Sequence, residues 1–213
     1  MSLKDYLVGQ FGRPRGVVGR LAGWIMANRP SNRRRNAWTV DLLDLGPEDR
    51  VLEVGYGPGV ALEAVSKRVT RGRIVGLDHS AVMRDRAAAR NRAAIDQGWM
   101  RLLVGSAEAL SGNADPDLAG PFDRIFAVNV AMFWDHPVAV LRALNDRLKG
   151  GGRLALTFQP RVGDKSDAAV LAAGERLAED MRRAGLAEVH VERLAELSPP
   201  AVCVIGHKPE TDG

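Results

Sequence analysis

The residues best suited to chemistry lie in and just after one short apolar run. Glu53 stands near the end of Val51–Val54, and the glycines Gly55, Gly57 and Gly59 follow it. An apolar run before Gly-x-Gly is typical of the first strand of an open α/β sheet. Glycines tolerate positive φ and leave the backbone bare for a close ligand. We therefore expect a ligand at residues 55–59, called the glycine turn below.

The residues around the glycine turn favour a cationic ligand over a phosphate. A pyrophosphate prefers Gly-x-Gly-x-x-Gly, but Val60 occupies the position of the last glycine here. The Glu53 carboxylate would repel a pyrophosphate, whereas it suits the ammonium and sulfonium groups of S-adenosylmethionine. The carboxylate of that cofactor can accept hydrogen bonds from the amides at the helix start. An NAD-linked oxidoreductase is the alternative that this pattern disfavours.

A second acidic residue ends the next apolar run, at Asp78. An acid at this point can accept hydrogen bonds from both ribose hydroxyls, in NAD and S-adenosylmethionine sites alike. We expect Ser80 to cap the following helix and His79 to lie at the rim of the site. Met83 has two interpretations, because its thioether can pack on an adenine face or in the core.

Apolar runs alternate with helical stretches along most of the chain. The predicted strands cover 51–55, 73–78, 101–105, 122–128 and 153–158. The predicted helices between them cover 58–69, 80–96 and 137–149, with Gly150–Gly152 ending the last. This alternation implies right-handed βαβ crossovers and a mainly parallel sheet. A helix over 166–184 then precedes strands at 188–194 and 201–206, whose short link favours an antiparallel pair.

The first 35 residues are rich in arginine and contain one acid, Asp5; the arginines are Arg13, Arg15, Arg20, Arg29, Arg33, Arg34 and Arg35. Such a segment indicates either a patch for an anionic substrate, RNA or a lipid surface, or a solvated arm. Trp24 is the one aromatic residue among these arginines, whereas a base-stacking platform requires several, which disfavours nucleic acid. We expect residues 1–45 to form a helical lid, with Ser31 or Asn32 capping its last helix.

Length and composition favour one globular domain. The chain has 213 residues, a formal net charge of +4 and 46% hydrophobic residues. No apolar run approaches the ~20 residues of a membrane span, and the first residues lack a secretory signal pattern. We therefore expect a cytoplasmic protein, with peripheral membrane contact through the basic segment as an open alternative. The lone Cys203 excludes an internal disulfide and a multi-cysteine metal site, and we expect no metal.

Five stretches taken together resemble the class I S-adenosylmethionine-dependent methyltransferases; they cover 51–59, 76–80, 105–110, 122–125 and 148–154. The likeness is to the small quinone-biosynthesis and phosphatidylethanolamine methyltransferase type. It implies an α/β fold, Rossmann-like, with a seven-stranded mostly parallel sheet, an antiparallel last strand and a three-layer α/β/α sandwich. The cofactor-binding domain would cover residues 46–208, after the lid.

The resemblance also implies a set of cofactor contacts. Glu53, Gly55, Tyr56, Gly57 and Gly59 would surround the methionine part, Asp78 the ribose, Ser106, Ala107 and Glu108 the adenine end, and Asn129 the region near the methyl group. Many relatives carry Asp where Ser106 stands, and a serine oxygen would bind the adenine amino group more weakly. His79 and Met83 complete the predicted cofactor-binding set.

The implied chemistry is methyl transfer by in-line displacement, in which proximity and orientation supply much of the catalysis. A base is optional, and the candidate catalytic residues are Asn129 and His136. His136 suits general base catalysis near neutral pH, but we favour the interpretation that this stretch starts a helix, with Asp135 as its cap and Pro137 in its first turn. The expected acceptor is a small or lipid-like molecule. The alternatives are a protein that binds S-adenosylmethionine without transferring its methyl group, and the NAD-linked oxidoreductase.

Overall fold

The structure, a computed structural model, describes residues 30–112 and 115–210. Most of the predicted lid, and with it most of the arginine-rich segment, lies outside these residues. The described helices are α1 (Pro30–Leu42), α2 (Val60–Ser66), α3 (Ala81–Arg90), α4 (Arg92–Asp96), α5 (Pro137–Arg147) and α6 (Asp167–Arg183). The strands are β1 (Arg50–Val54), β2 (Arg73–Asp78), β3 (Met100–Val104), β4 (Phe122–Val128), β5 (Leu148–Phe158), β6 (Ala187–Leu194) and β7 (Ala201–His207).

These strands form one seven-stranded sheet in the order β3-β2-β1-β4-β5-β7-β6. The pairs β1/β2, β1/β4, β2/β3 and β4/β5 are parallel, and β7 is antiparallel to β5 and to β6. The predicted Rossmann-like α/β fold is therefore confirmed, and the N-terminal helical lid stays a prediction. The strand order reverses between β1 and β4, and ligands of open α/β sheets bind in the crevice at such a reversal.

Alternation along β1 divides its side chains between two apolar layers. Leu52 and Val54 pack in a cluster that includes Leu144 of α5 and Met181 of α6. Val51 packs on the other face with residues of α1, α2 and α3, among them Val40, Leu62 and Ala87. Because side chains alternate along a strand, Glu53 lies on the same face as Val51, beneath α2.

The predicted helix over 80–96 is wrong in one respect, since it breaks at Asn91 into α3 and α4. The backbone of Asn91 leaves helical geometry, and its side-chain amide donates to the carbonyls of Ala87 (2.9 Å) and Gly59 (3.2 Å). The break therefore ties the end of α3 to the glycine turn. Ser80 caps α3 as predicted, because its hydroxyl accepts from the Met83 amide.

Two other sequence predictions about helix ends are also wrong. Ser31 and Asn32 lie inside α1, which includes Pro30, and so do not cap it. Helix α5 ends at Arg147, and Gly150–Gly152 instead form a bulge in β5, between the pairs Phe122–Leu148 and Arg124–Arg153. Gly151 has φ +71°, and a Cβ at Gly152 would lie 2.7 Å from a backbone oxygen. These glycines therefore allow the backbone conformation and the close packing of the bulge.

Arginine side chains cross-link the edge of the sheet where the parallel strands begin, called the lower edge below. Each donates to backbone carbonyls of the neighbouring connections: Arg50 to those of Asp117 and Gly120, Arg124 to Leu43 and Asp44, Arg147 to Leu110 and Leu118, and Arg153 to Leu42. A guanidinium donates several hydrogen bonds in a planar fork, so one side chain can hold two loops together.

Within the described ranges no helix has the length and apolar character needed to cross a bilayer. The same residues contain no group of three or more His, Cys, Asp or Glu side chains that could hold a metal ion. Cys203 lies fully buried in β7, as expected of a small core residue, and burial raises the pKa of its thiol to about 12.

Candidate active site

The glycine turn follows β1 at the edge where the parallel strands end, called the upper edge below. A Cβ at Gly55 would lie 2.2 Å from a methyl group of Val130, and one at Gly59 would lie 2.5 Å from the Asn91 amide nitrogen. At Gly57, where φ is +49°, a Cβ would meet no protein atom within 4 Å. Two of the glycines therefore allow close packing, and Gly57 leaves the backbone open to a ligand.

Asp78 ends β2 next to the glycine turn and holds that turn in place. Its side chain is buried, and its carboxylate accepts from the amides of Gly57 (2.8 Å) and Ser80 (2.9 Å). Each carboxylate oxygen has two lone pairs, so both retain capacity for a ribose hydroxyl. The His79 ring is exposed beside it, with Nδ1 3.7 Å from the carboxylate. Met83 is half-buried against the apolar layer of α2 and α3.

Glu53 is a buried carboxyl group with one unused oxygen. It accepts a hydrogen bond from the amide of Leu62, the third residue of α2, and its Oε2 atom has no partner among the described residues. Burial, and then the nearby charge of Asp78, raises the pKa of Glu53 to about 8. Gly59 precedes α2 and no side chain caps the helix, so Glu53 accepts a hydrogen bond from a backbone amide that has no partner within the helix.

Tyr56 supports the glycine turn from below. Its side chain is 2% exposed, its hydroxyl donates to the carbonyl of Leu103 (3.2 Å), and burial raises the pKa of that hydroxyl. A Cβ at Gly76 would lie 2.7 Å from the Tyr56 ring, so the glycine in β2 makes room for it. Only the main chain of Tyr56 is therefore available to a cofactor, and its side chain positions the turn.

Ser106, Ala107 and Glu108 follow β3, at the predicted adenine end. The Ser106 hydroxyl donates to the Glu108 carboxylate and accepts from the Glu108 amide (3.2 Å), and the hydrogen bond from Ser106 lowers the pKa of Glu108. Ala107 is buried. The serine proton is therefore already directed at Glu108, and a role for Ser106, Ala107 or Glu108 at the adenine end stays a prediction.

Asn129 follows β4 and links it to the end of β5. Its φ is +56°, and both ends of its amide bond the main chain of Gln159, Oδ1 to the amide (2.7 Å) and Nδ2 to the carbonyl (3.1 Å). The side chain thus clamps two neighbouring strand ends. A role for Asn129 beside the methyl group stays a prediction.

His136 begins α5 and is exposed, with Pro137 at the first helical position. The predicted cap by Asp135 is wrong, because the residue at the cap position is His136 and no side chain caps the helix. His136 and the main chain of Asp135 both lie close enough to Glu108 to contribute, after Ser106, to its lowered pKa. The connection after β4 therefore meets the connection after β3, as expected of the walls of one site.

Arg35 was not singled out in the sequence, yet it reaches the upper edge from α1. Its guanidinium is 4% exposed and donates to the side-chain oxygens of Gln159 and Asn32. Gln159 in turn donates to the carbonyl of Pro199 (2.7 Å). The signal that could have revealed Arg35 is its spacing of four and seven residues from Thr39 and Leu42, which places the three on one face of a helix.

Comparison with known proteins identifies the family. A family model described as a methyltransferase domain matches residues 52–154. An uncharacterized methyltransferase of Bacillus subtilis (strain 168), YdaC, is 31% identical over 192 residues, which cover 90% of this chain and 99% of the relative. The chain belongs to the class I S-adenosylmethionine-dependent methyltransferases. Whether this methyltransferase is of the quinone-biosynthesis and phosphatidylethanolamine type stays a prediction.

Solved structures share the fold of this methyltransferase. The N-methyltransferase NodS from Bradyrhizobium japonicum WM9, in complex with S-adenosylhomocysteine, matches with a TM-score of 0.68, 18% identity and coverage of 88% of this chain and 92% of that one. The [4+2]-cyclase SpnF matches with a TM-score of 0.65, 17% identity and coverage of 84% and 82%.

The residues at the upper edge of the methyltransferase fit its cofactor. The unpartnered oxygen of Glu53 is an acceptor for a cation, and the bare backbone at Gly57 admits a ligand beside Asp78. A pyrophosphate would meet two carboxyl groups there, which disfavours the NAD-linked alternative.

Proposed function

We propose that this methyltransferase moves the methyl group of S-adenosylmethionine to a small-molecule or lipid-like acceptor. The observation that carries the proposal is the pairing of acids around the open Gly57, with Asp78 bonded to its amide and Glu53 buried alongside. A turn lined by acids suits a nucleoside cofactor that carries positive charge.

Each predicted contact has a proposed role. The unpartnered Oε2 of Glu53 accepts a hydrogen bond from the ammonium of the cofactor's methionine part, and Asp78 accepts hydrogen bonds from its ribose hydroxyls. Glu108, placed after β3, accepts the adenine amino group, and Met83 packs beside the ring. Gly57 contributes its open backbone, whereas Gly55 and Gly59 act through the packing of the turn.

When bound, the cofactor supplies an electrophilic methyl group on a sulfonium. An acceptor bound in line with that group would form a bond to the methyl carbon as the carbon–sulfur bond breaks, which would leave S-adenosylhomocysteine and pass any acceptor proton to solvent or a base. The protein would contribute orientation, because the Asn129–Gln159 clamp fixes the ends of β4 and β5 at the upper edge. Exposed Met132 and Phe133, which follow β4, support an acceptor with an apolar part.

Calorimetric titration with S-adenosylhomocysteine and with NAD tests the cofactor, and binding of NAD alone would overturn the proposal. Methyl-labelled S-adenosylmethionine, incubated with fractionated small-molecule and lipid extracts, tests the transfer. We expect label in one fraction, and less label from an Asp78→Ala variant at a cofactor concentration that does not saturate the wild type. The fold also belongs to the cyclase SpnF. Tight cofactor binding with no label in any fraction would therefore favour a protein that binds the cofactor for another purpose.

A further inference from the structure

The guanidinium of Arg35 is a buried cation without a described counterion. Its hydrogen bonds within the described part of the chain go to the neutral amides of Gln159 and Asn32, and its Nε atom has no partner there. Only 4% of the residue is exposed. A buried charge is normally paired, because its removal from water is costly unless an opposite charge compensates.

The surroundings of Arg35 disfavour its positive charge, so an anion beside it would be stabilising. Burial and then the positive charge of Arg161 lower the pKa of Arg35 to about 10, which still leaves it charged at neutral pH. The charge of Asp78 raises the pKa of Glu53, and neither acid is among the charges that affect the pKa of Arg35. The acids of the cofactor site therefore do not neutralise this cation.

Arg35 lies on the side of the upper edge away from the adenosine. Its partner Gln159 directly follows β5, and Gln159 is clamped to Asn129 after β4. Strand β5 is two strands from β1, which at about 4.8 Å per strand places it about 10 Å from the strand that carries Glu53. A group held by Arg35 would thus lie over β4 and β5, beyond the methionine part of the cofactor.

The same side of the upper edge carries exposed apolar side chains. Met132 and Phe133, after β4, are 46% and 65% exposed, and Val162, after β5, is 65% exposed. The ends of these two strands are neighbours, since Val128 pairs with Thr157. A buried cation and an apolar surface therefore occur on adjacent connections.

We infer that Arg35 binds a carboxylate or another anionic oxygen group of the methyl acceptor, whose apolar part lies along Ala131–Phe133. Arg35 is then a binding residue that selects acidic, amphipathic acceptors. The inference rests on the proposed function and names its substrate class. A guanidinium fork pairs with such groups through two N–H bonds, and the unused Nε and Nη hydrogens of Arg35 supply them.

Wild-type protein loaded with S-adenosylhomocysteine tests the inference without any substitution. Octanoate and octyl phosphate are the anionic probes, and octanamide is the neutral probe of the same chain length. We expect calorimetry to show at least about tenfold tighter binding of an anionic probe than of octanamide. Equal binding of all three, or no binding of either anion, would overturn the inference.

Arg35→Gln and its matched control Arg34→Gln, an exposed position on the same helix, locate the effect. We expect Arg35→Gln to lose at least about tenfold in affinity for the anionic probe and to keep its affinity for S-adenosylhomocysteine, with the control unchanged. The rival source of the anion is the cofactor's own carboxylate. If Arg35→Gln weakens S-adenosylhomocysteine but not 5′-methylthioadenosine, which lacks that carboxylate, Arg35 serves the cofactor and the inference is wrong.

The acceptor screen separates this inference from the proposed function. Extracts divided by anion exchange before labelling should give methylated product from the anionic fraction. Label found only in the neutral or cationic fraction would leave the methyltransferase proposal intact and overturn the anionic acceptor. Absence of S-adenosylhomocysteine binding would overturn the proposed function itself, while the comparison of octanoate with octanamide would still decide whether Arg35 binds anions.

Discussion

The buried carboxyl group of Glu53 makes cofactor binding depend on pH, and Glu53→Gln should remove that dependence. The pKa of Glu53 is about 8 in the free protein because burial and Asp78 disfavour its charge. At pH 7 about nine-tenths of the molecules therefore carry a proton on this group. If the cofactor's ammonium lies beside Oε2, the charged form becomes favoured, and binding must expel that proton.

The magnitudes follow from the same pKa. Binding at pH 7 should release about 0.9 proton, and the affinity for S-adenosylhomocysteine should rise about tenfold from pH 6 to pH 7 before levelling above pH 8. Stability changes in the opposite direction, because a folded-state pKa raised from 4.5 stabilises the protein below pH 4.5 and the benefit is lost as pH rises toward 8. At about 1.4 kcal/mol per pKa unit, the loss has a ceiling of about 5 kcal/mol.

Calorimetry in buffers of different ionisation enthalpy measures the released proton, and urea unfolding at pH 5 and pH 8 measures the stability. Glutamine keeps the acceptor for the Leu62 amide but cannot ionise. We therefore expect Glu53→Gln to bind without the proton release and to resist urea better than wild type at pH 8, with little difference at pH 5. Equal proton release by both proteins would refute contact between Glu53 and the ammonium.

Three further substitutions test the site. Gly57→Ala should cost about 1 kcal/mol of stability and at least about tenfold in S-adenosylhomocysteine affinity, because the added Cβ would face the ligand. The control is Gly98→Ala, which also lies at positive φ in open space and should cost only the stability. Equal loss of affinity in both variants would reject an open Gly57. Asp78→Asn should weaken the same ligand by about 1–3 kcal/mol in calorimetry, and undiminished affinity would remove Asp78 from the site. Tyr56→Phe should lose about 0.5–1.5 kcal/mol in urea unfolding with unchanged affinity, and weaker binding would contradict its supporting role beneath the turn.

Sequence periodicity predicted the fold well because the strands are buried and their apolar runs are uninterrupted. The runs at 73–78 and 122–128 match β2 and β4 residue for residue. The break at Asn91 could not be predicted, since it depends on a contact with the carbonyl of Gly59, distant in the chain. The sequence predicted a helix end at the Gly150–Gly152 bulge because glycine is common both after helices and in β-bulges.

The candidate site was predicted as a set of positions but not as a set of roles. Asp78 and Glu53 lie at the strand ends where the spacing placed them. Tyr56 points away from the ligand side because its hydroxyl contacts Leu103. The Asn129 amide bonds Gln159 because β4 and β5 are paired. Such roles depend on which strands become neighbours, which the order of elements along the chain does not reveal.

The arginines of the lower edge give a structural reason for part of the basic isoelectric point of about 9.6. Arg50, Arg124, Arg147 and Arg153 direct their donors at backbone carbonyls within the fold. These cations act as internal cross-links, so the basic isoelectric point does not by itself indicate a surface that binds polyanions. Lysine would preserve the isoelectric point at these positions while losing the cross-links, since an ammonium lacks the planar fork. Arginine at these positions therefore stabilises the lower edge of the sheet, and the residues of the upper edge can change with the ligand without loss of these cross-links.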